Sequence, residues 1–338
     1  MPLVNTALTL KDLPPAPEGK TGWPWTEQSE PLPDRMADGS DWPRISIVTP
    51  SYNQGQFIEE TIRSVLLQGY PNLEYIIIDG GSNDNSVEII KKYEQYLTYW
   101  ISEADRGQSH AINKGWEKCT GDYLAWINSD DCYISNALSC AIKRFIEYKC
   151  DFIYGPTYIG SSLGEKQIIE GKGITDFKLK NLLKFFYNVE YIIPSQSVLL
   201  SKKLYSQIGF LDEDLHYCMD LDLFAKIILA NPLVYRNSQP ICFYRTHDMA
   251  KTCKQRELMR KESIEIAKKY SHLLAIKDWE KILRLISYSK YLEEYHTNQR
   301  EKTITNLLNT VFELPLESLT DTRFLGLIKR ALFKSFVQ

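Results

Sequence analysis

The chain has 338 residues, 43% hydrophobic and 25% charged, enough apolar material for a substantial core and more length than one ordinary domain needs. Its 40 Lys and Arg against 43 Asp and Glu leave a formal net charge of −3 with both signs interspersed, which excludes nucleic acid held by its phosphate backbone as a partner. No apolar run reaches the roughly 20 residues that span a bilayer, Met1 to Lys20 carry Pro, Gly and charge instead of a signal-peptide core, and none of the seven cysteines forms a C-x-x-C pair, so they read as reduced core thiols of a cytoplasmic protein.

Residues 1–43 hold Pro14, Pro15, Pro17, Pro24, Pro31 and Pro33 with no sustained periodicity and read as an irregular lead-in. Regular structure starts at Arg44. Ile45-Ser46-Ile47-Val48-Thr49 is a short β-branched strand stopped by Pro50, and Ile58, Ile62, Val65 and Leu66 follow at helical spacing. Leu73 to Ile78 is a buried strand, Asp79-Gly80-Gly81-Ser82-Asn83-Asp84 a turn, and Ser86 to Tyr96 a helix. Two successive β-α units predict a parallel sheet. Tyr99 to Ser102 is a third strand, Ser109 to Lys118 a helix with Ala111, Ile112 and Trp116 on its apolar face, and Tyr123 to Ile127 a fourth strand ending at Asp130 and Asp131.

Each polar cluster so far follows the C-terminal end of a strand, the edge at which open α/β sheets gather ligands and helix N-termini offer N–H donors to anions. Asp79, Asp84, Glu103, Asp105, Asp130 and Asp131 are therefore expected to converge. Adjacent carboxylates repel unless a hard cation or a donor network offsets them, and oxygen ligands suit Mg²⁺ or Mn²⁺, which could hold a diphosphate. The plainer reading of Ser129-Asp130-Asp131 alone is a solvated turn before a helix starting near Ser135.

Beyond Cys150, Phe152-Ile153-Tyr154 reads as a strand, the stretch near Phe177 to Tyr187 as a helix, and Pro194 to Leu200 as a loop running into apolar sequence. Met219-Asp220-Leu221-Asp222 opens a helix that continues through Ile227, Ile228 and Leu229, with carboxylates in its first turn. Ile241 to Arg245 is a strand leading to His247. From residue 256 to 338 the sequence is charged and helix-forming, with helices expected near Arg256 to Tyr270, Asp278 to Glu294, Glu301 to Leu308 and Asp321 to Phe336. Phe324 to Lys334 mixes apolar residues and cations at helical spacing, as interfacial helices do, so this C-terminal helix is either packed or in peripheral contact with a membrane.

The series Val48-Thr49-Pro50-Ser51-Tyr52-Asn53, Asp79-Gly80-Gly81-Ser82-Asn83-Asp84, Glu103-Ala104-Asp105-Arg106-Gly107, Ala111-Ile112-Asn113-Lys114-Gly115 and Asn128-Ser129-Asp130-Asp131 resembles, in order and spacing together, the family 2 glycosyltransferases. The resemblance implies an α/β fold of GT-A type over residues 44–255, with a nucleotide-binding sheet flanked by helices, a mixed acceptor-binding half, and residues 256–338 as a helical appendage. It implies an inverting transferase that moves one sugar from a nucleotide-sugar, UDP-linked, to a hydroxyl of a glycan or lipid-linked oligosaccharide in surface or exopolysaccharide synthesis, with Mn²⁺ or Mg²⁺. The site would lie at the cytoplasmic side of the membrane.

Carried over by position, Pro50, Ser51 and Tyr52 would line the nucleoside pocket, and Asp79 would accept from the base edge. Asp84, Asp105 and Gly107 would flank ribose and diphosphate, Asp130 would contact ribose or sugar, and Asp131 and His247 would hold the metal. Asn128 stands where the family's D-x-D begins and can hydrogen-bond without adding charge. Asp220 would be the base that takes the acceptor proton, although Met219 replaces the usual acidic neighbour, and Asp222 is the second candidate. Gln196 resembles an acceptor-side loop residue. The chain lacks the Q-x-x-R-W motif of processive synthases. Two other readings stay open: a sugar nucleotidyltransferase, which would want a basic Gly-rich phosphate loop where Pro50 to Gly55 offers one glycine and no cation, and a non-catalytic nucleotide-sugar binder, favoured by Asn128 and Met219.

Overall fold

The computed structural model describes residues 6–164, 167–169, 177–184, 193–248 and 255–296. The helices expected at Glu301 to Leu308 and Asp321 to Phe336, with the amphipathic stretch at Phe324 to Lys334, lie outside them. A first compact unit takes residues 1–172 and 192–256, and a second takes 173–191 and 257–338.

The first unit is built on a seven-stranded sheet. Its strands are β1 (Ile45–Ser51), β2 (Leu73–Asp79), β3 (Tyr99–Ser102), β4 (Tyr123–Trp126), β6 (Phe152–Tyr154), β9 (Leu199–Ser201) and β10 (Val234–Arg236), in the order β10-β6-β9-β4-β1-β2-β3. β1 runs parallel to both β2 and β4, and β2 parallel to β3; β9 is antiparallel to β4 and β6. All seven residues of β1 are buried, the polar Ser46, Thr49 and Ser51 among them, because the sheet is covered on both faces. The chain order reverses between β1 and β4, the switch point at which loops part to leave a crevice.

A second, four-stranded sheet has the order β5-β11-β7-β8, from β5 (Cys132–Tyr133), β7 (Thr157–Gly160), β8 (Gln167–Ile169) and β11 (Cys242–Arg245). Two-residue β5 and three-residue β8 are too short to show a period, and the sequence offered no sign of them. The antiparallel pairing of β5 with β11 sets Cys132 opposite Phe243. That register places the chain just before Cys132 beside the chain just after Phe243.

The expected β-α units are present. α1 (Ile58–Leu66) buries Ile58, Ile62, Val65 and Leu66, the i, i+4, i+7, i+8 stripe of a helix lying on a sheet. α2 (Ser86–Lys92) is followed by a 3₁₀ turn at Glu94–Tyr96, α3 spans Gln108–Lys118 and α4 spans Ala137–Tyr148. α6 (Lys202–Ile208) is capped by Ser201, whose hydroxyl accepts from the Leu204 N–H, and α7 spans Met219–Leu229. Residues 6–43 are irregular as expected, and they are packed: Leu13 and Trp25 are buried, and Arg63 of α1 donates to the carbonyls of Pro14, Pro24 and Trp25. Cys132, Cys150, Cys218 and Cys242 are buried thiols, whereas Cys140 is exposed on α4, so the expectation of core thiols fails there: it falls on the helix's outer face.

In the second unit, the described parts are α5 (Leu179–Leu182), α8 (Arg256–Lys269), a 3₁₀ turn and α9 (Ile276–His296). Ile264, Ala267, Ile282 and Leu285 are buried. No described helix is long and apolar enough to cross a membrane.

α3 sits closest to the sheet at Gly115, where a Cβ would come 2.4 Å from Val48 Cγ1 and 2.8 Å from Cγ2. Val48 is fully buried in the central strand and has nowhere to retreat. Gly115→Ala is therefore expected to destabilise the first unit by about 1–3 kcal/mol, the usual range for overpacking, read as a lower denaturant midpoint in urea.

Candidate active site

The carboxyl ends of β1, β2 and β3 are level, with Ser51 opposite Asp79 and Asp79 opposite Ser102. Asp79 is fully buried in that row. Its Oδ2 accepts from the Gly81 and Ser82 N–H groups (3.1 and 2.8 Å) and from Ser102 Oγ (2.7 Å), and its Oδ1 accepts from Ser82 Oγ (2.6 Å). Four donors from its own turn and the neighbouring strand hold this carboxylate, so its visible work is to shape the turn after β2. Beside it, Ser51 Oγ is buried without a protein partner, and Tyr52 stands 59% exposed.

The loop after β1 is tied to the loop after β2. The N–H groups of Asn53, Gln54 and Gly55 donate to Ser82 Oγ (2.7 Å), Ser86 Oγ (2.9 Å) and Asp84 Oδ2 (2.8 Å). Asp84 also accepts from the Ser86 N–H at 2.9 Å. Partial burial alone would push the Asp84 carboxyl up, but the hydrogen bonds from Ser86 and Gly55 outweigh it and hold it below the usual carboxylate range. Both its oxygens thus accept from the protein's own loops. Asp105, after β3, accepts from the Gly107 N–H through Oδ1 at 2.8 Å, while its Oδ2 lies against Gly80, 2.7 Å from where a Cβ there would be. Gly107 has φ 115° at the entrance of α3, a conformation open to glycine and strained for other residues. Glu103 pairs instead with Lys114 of α3, on the outside.

After β4 the chain turns at Asn128–Asp131, closed by the Asp131 N–H donating to the Asn128 carbonyl at 3.1 Å. From α3, Gln108 Nε2 donates to Asn128 Oδ1 at 2.7 Å, and Asn128 Nδ2 donates to Asp131 Oδ2 at 3.1 Å. Asp131 Oδ1 accepts from the Arg245 N–H at 2.9 Å, and Gln196 donates to the same carboxyl. Asp131 is 0% exposed; burial, and then the charge of Asp130, push its carboxyl well above the ordinary value against these donors. The expected metal ligand is therefore buried, with each of its oxygens accepting from a protein donor. Gln196, expected on the acceptor side, is turned onto it.

The open pair is Asp130 and His247. Pairing of β5 with β11 brings them together across 117 positions, with His247 Nε2 3.0 Å from Asp130 Oδ2 and side chains 12% and 20% exposed. His247 Nδ1 is buried without a partner, and the imidazole lies 4.7 Å from the Phe57 ring. A carboxylate oxygen and an imidazole with an unmatched nitrogen fit a divalent cation. No group of three or more His, Cys, Asp or Glu that could hold a metal gathers among the described residues.

α3 also positions the far wall. Asn113 Oδ1 accepts from the Leu211 N–H (2.9 Å), and its Nδ2 donates to the Leu211 carbonyl and to Glu213 Oε1 (both 3.0 Å). Four residues earlier on that helix face, Ser109 Oγ lies 3.0 Å from the Leu215 carbonyl and 2.9 Å from Met219 Sδ. This seats the start of α7 against the start of α3, and it explains Met219: an apolar thioether packs where an acid was expected. Asp220, in the first turn of α7, is partly exposed and accepts from the Leu221 N–H at 2.8 Å. Asp222 is fully buried and paired with Lys226 at 3.0 Å, a poor setting for a group that must meet an acceptor.

Gln108, Ser109, Asn113 and Arg245 were not assigned roles from sequence. Asn113 sits four residues after Ser109, and Arg245 two before His247. Those spacings place each pair on one face of a helix or strand, which was the available signal.

Residues 46–215 match the model of a family described as "Glycosyl transferase family 2". An uncharacterized glycosyltransferase of Rickettsia typhi, RT0329, is 29% identical over 214 residues, 62% of this chain and 66% of that one. The putative teichuronic acid biosynthesis glycosyltransferase TuaG of Bacillus subtilis is 35% identical over 121 residues, 34% of this chain and 47% of its own. The chain thus spans less than two thirds of the length of either relative. Among solved structures, S. aureus TarS 1–349 in complex with UDP-GlcNAc superposes with a TM-score of 0.59 at 17% identity, over 80% of this chain and 82% of that one. The mannosyltransferase PcManGT of Pyrobaculum calidifontis, in complex with GDP-Man and Mn²⁺, gives 0.51 at 16% identity, over 96% and 90%.

Proposed function

Since this chain belongs to glycosyl transferase family 2 and has the GT-A type of α/β fold, we propose that it is an inverting glycosyltransferase that moves one sugar from a nucleoside-diphosphate sugar to an acceptor hydroxyl. The observation that carries this reading is the Asp130–His247 pair at 3.0 Å, set in front of buried Asp131 at the switch point between β1 and β4. The likeness to TarS, solved with UDP-GlcNAc, supports a UDP-linked donor. Ser51 Oγ and the exposed ring of Tyr52 supply a hydrogen-bonding atom and an aromatic wall for the nucleoside. The likeness to TuaG supports a glycan or lipid-linked oligosaccharide acceptor in surface polysaccharide synthesis, which would place the enzyme at the cytoplasmic face of the membrane.

Asp130 and His247 would hold Mn²⁺ or Mg²⁺, which would supply positive charge against the negative charge that grows on the departing diphosphate. Asp131 stays behind them, fixed by Arg245, Asn128 and Gln196. Asp220 takes the proton of the acceptor hydroxyl as its oxygen bonds to the anomeric carbon, and the bond from that carbon to the diphosphate oxygen breaks with its electron pair going to the diphosphate. Attack from the side opposite the leaving group inverts the anomeric centre.

Nucleotidyl transfer is disfavoured by the loop after β1, whose Asn53, Gln54 and Gly55 N–H groups already donate to side chains and are not free to cradle a triphosphate. Incubation with UDP- and GDP-sugars and Mn²⁺, following free nucleoside diphosphate, tests the reading. Slow hydrolysis is expected without acceptor, falling about 10²-fold or more in EDTA and returning with Mn²⁺. Pyrophosphate release would point to nucleotidyl transfer, and binding with no turnover to a non-catalytic binder.

A further inference from the structure

Two residues before His247, Arg245 has a side chain only 6% exposed, and its main chain and side chain together reach both aspartates of the turn after β4. Its main-chain N–H donates to Asp131 Oδ1 and its side-chain Nε to the Asp130 carbonyl, both at 2.9 Å. One terminal nitrogen donates to the Ser161 carbonyl at 3.1 Å, and the other pairs with the Glu60 carboxylate of α1 and approaches Cys132 Sγ at 3.9 Å. The guanidinium lies 5.0 Å over the Phe57 ring, which in turn packs on His247.

We propose that the Arg245 guanidinium is the positioning group of the cation site, setting the Asp130 main chain and, through Phe57, His247 relative to one another and anchoring both to α1 through Glu60. This rests on the donor site proposed above. Arg245 is not a phosphate-binding cation, because four of its guanidinium hydrogens point at protein atoms and Glu60 neutralises its charge. The role needs a planar fork with donors in several fixed directions, which an arginine offers and a lysine does not. It also explains why a two-ligand site can be preorganised: the Asp130 main chain and, through Phe57, the imidazole are held by one rigid group, while the main-chain N–H of Arg245 fixes the Asp131 carboxylate whatever side chain stands there.

The test reads cation binding directly, without turnover. Free Mn²⁺ is followed by electron paramagnetic resonance in the presence of UDP, and UDP affinity is measured separately in EDTA. Arg245→Gln and Arg245→Lys are expected to raise the Kd for Mn²⁺ about 10- to 100-fold, the usual cost of losing a residue that orients metal ligands, while UDP affinity in EDTA stays within about twofold. A residue that only stabilises the fold would lower the melting temperature and leave the Mn²⁺ affinity of the folded variant as in the wild type; an Mn²⁺ Kd within twofold of wild type in folded Arg245→Gln overturns the proposal. If neither variant folds by circular dichroism, Glu60→Gln decides, with a rise of about threefold or more expected and an unchanged Kd overturning. Wild-type protein that takes up no Mn²⁺ with UDP removes this proposal and the donor reading together, whereas normal wild-type uptake with unaffected variants removes this one alone.

Discussion

Asp220→Asn is expected to lower kcat about 10²- to 10⁴-fold, the span that a positioned general base contributes, while the Kd for UDP stays unchanged. The asparagine keeps the shape and can still accept from the Leu221 N–H as Asp220 does, so α7 keeps its first turn; what goes is the capacity to take a proton. Nucleotide affinity is expected to survive because the proposed nucleoside and cation contacts, Ser51, Tyr52, Asp130 and His247, lie outside α7. Steady-state transfer and equilibrium binding on the same preparation check this. A near-normal rate would strip Asp220 of the base role. It would not pass to Asp222 without a rearrangement, because that carboxylate is buried and ion-paired to Lys226. The geometry that makes Asp220 the candidate depends on Ser109 and Asn113, which lock the segment from Leu211 to Met219 onto α3.

Asp130→Ala is expected to cost about 10²- to 10³-fold in kcat, the range seen when charge stabilisation of a leaving group is removed, and to flatten the dependence of the remaining rate on Mn²⁺. Asp130 is the carboxylate whose oxygen meets His247, whereas Asp131 is enclosed by the N–H of Arg245 and the amides of Asn128 and Gln196. The variant should fold, since the Asp130 main chain stays bonded to Arg245 Nε through its carbonyl and the side chain is partly exposed. A titration of turnover against Mn²⁺ decides: a steep wild-type-like response in Asp130→Ala would move the cation site elsewhere.

Part of the site was legible because its residues sit at strand ends. Asp79 ends β2, and Asp105 and Asp131 follow β3 and β4 by three and five residues; any parallel sheet of alternating β-α units brings such positions to one edge. The division of labour among them was not legible. Asp79 and Asp84 turned out to bond their own loops, since a carboxylate next to Gly, Ser and unpaired N–H groups is equally suited to closing a turn, and only the partner distances separate the two uses. Likewise, metal binding expected at Asp131 shifts to Asp130 in the proposal because burial, invisible in a Ser-Asp-Asp string, takes Asp131 out of reach.

By itself the sequence determined the β-α order, the sheet core from Ile45 to Ile78, the helices on which Gln108 and Asp220 stand, and the family. These are local periodicities and short-range spacings, and a helix or strand declares itself within a dozen residues. Tertiary structure alone decided which distant residues meet. His247 reaches Asp130, and Arg245 reaches Asp131, because two-residue β5 pairs with β11 across more than a hundred positions. So short a strand carries no pattern of its own; its register is set by the packing of the whole unit.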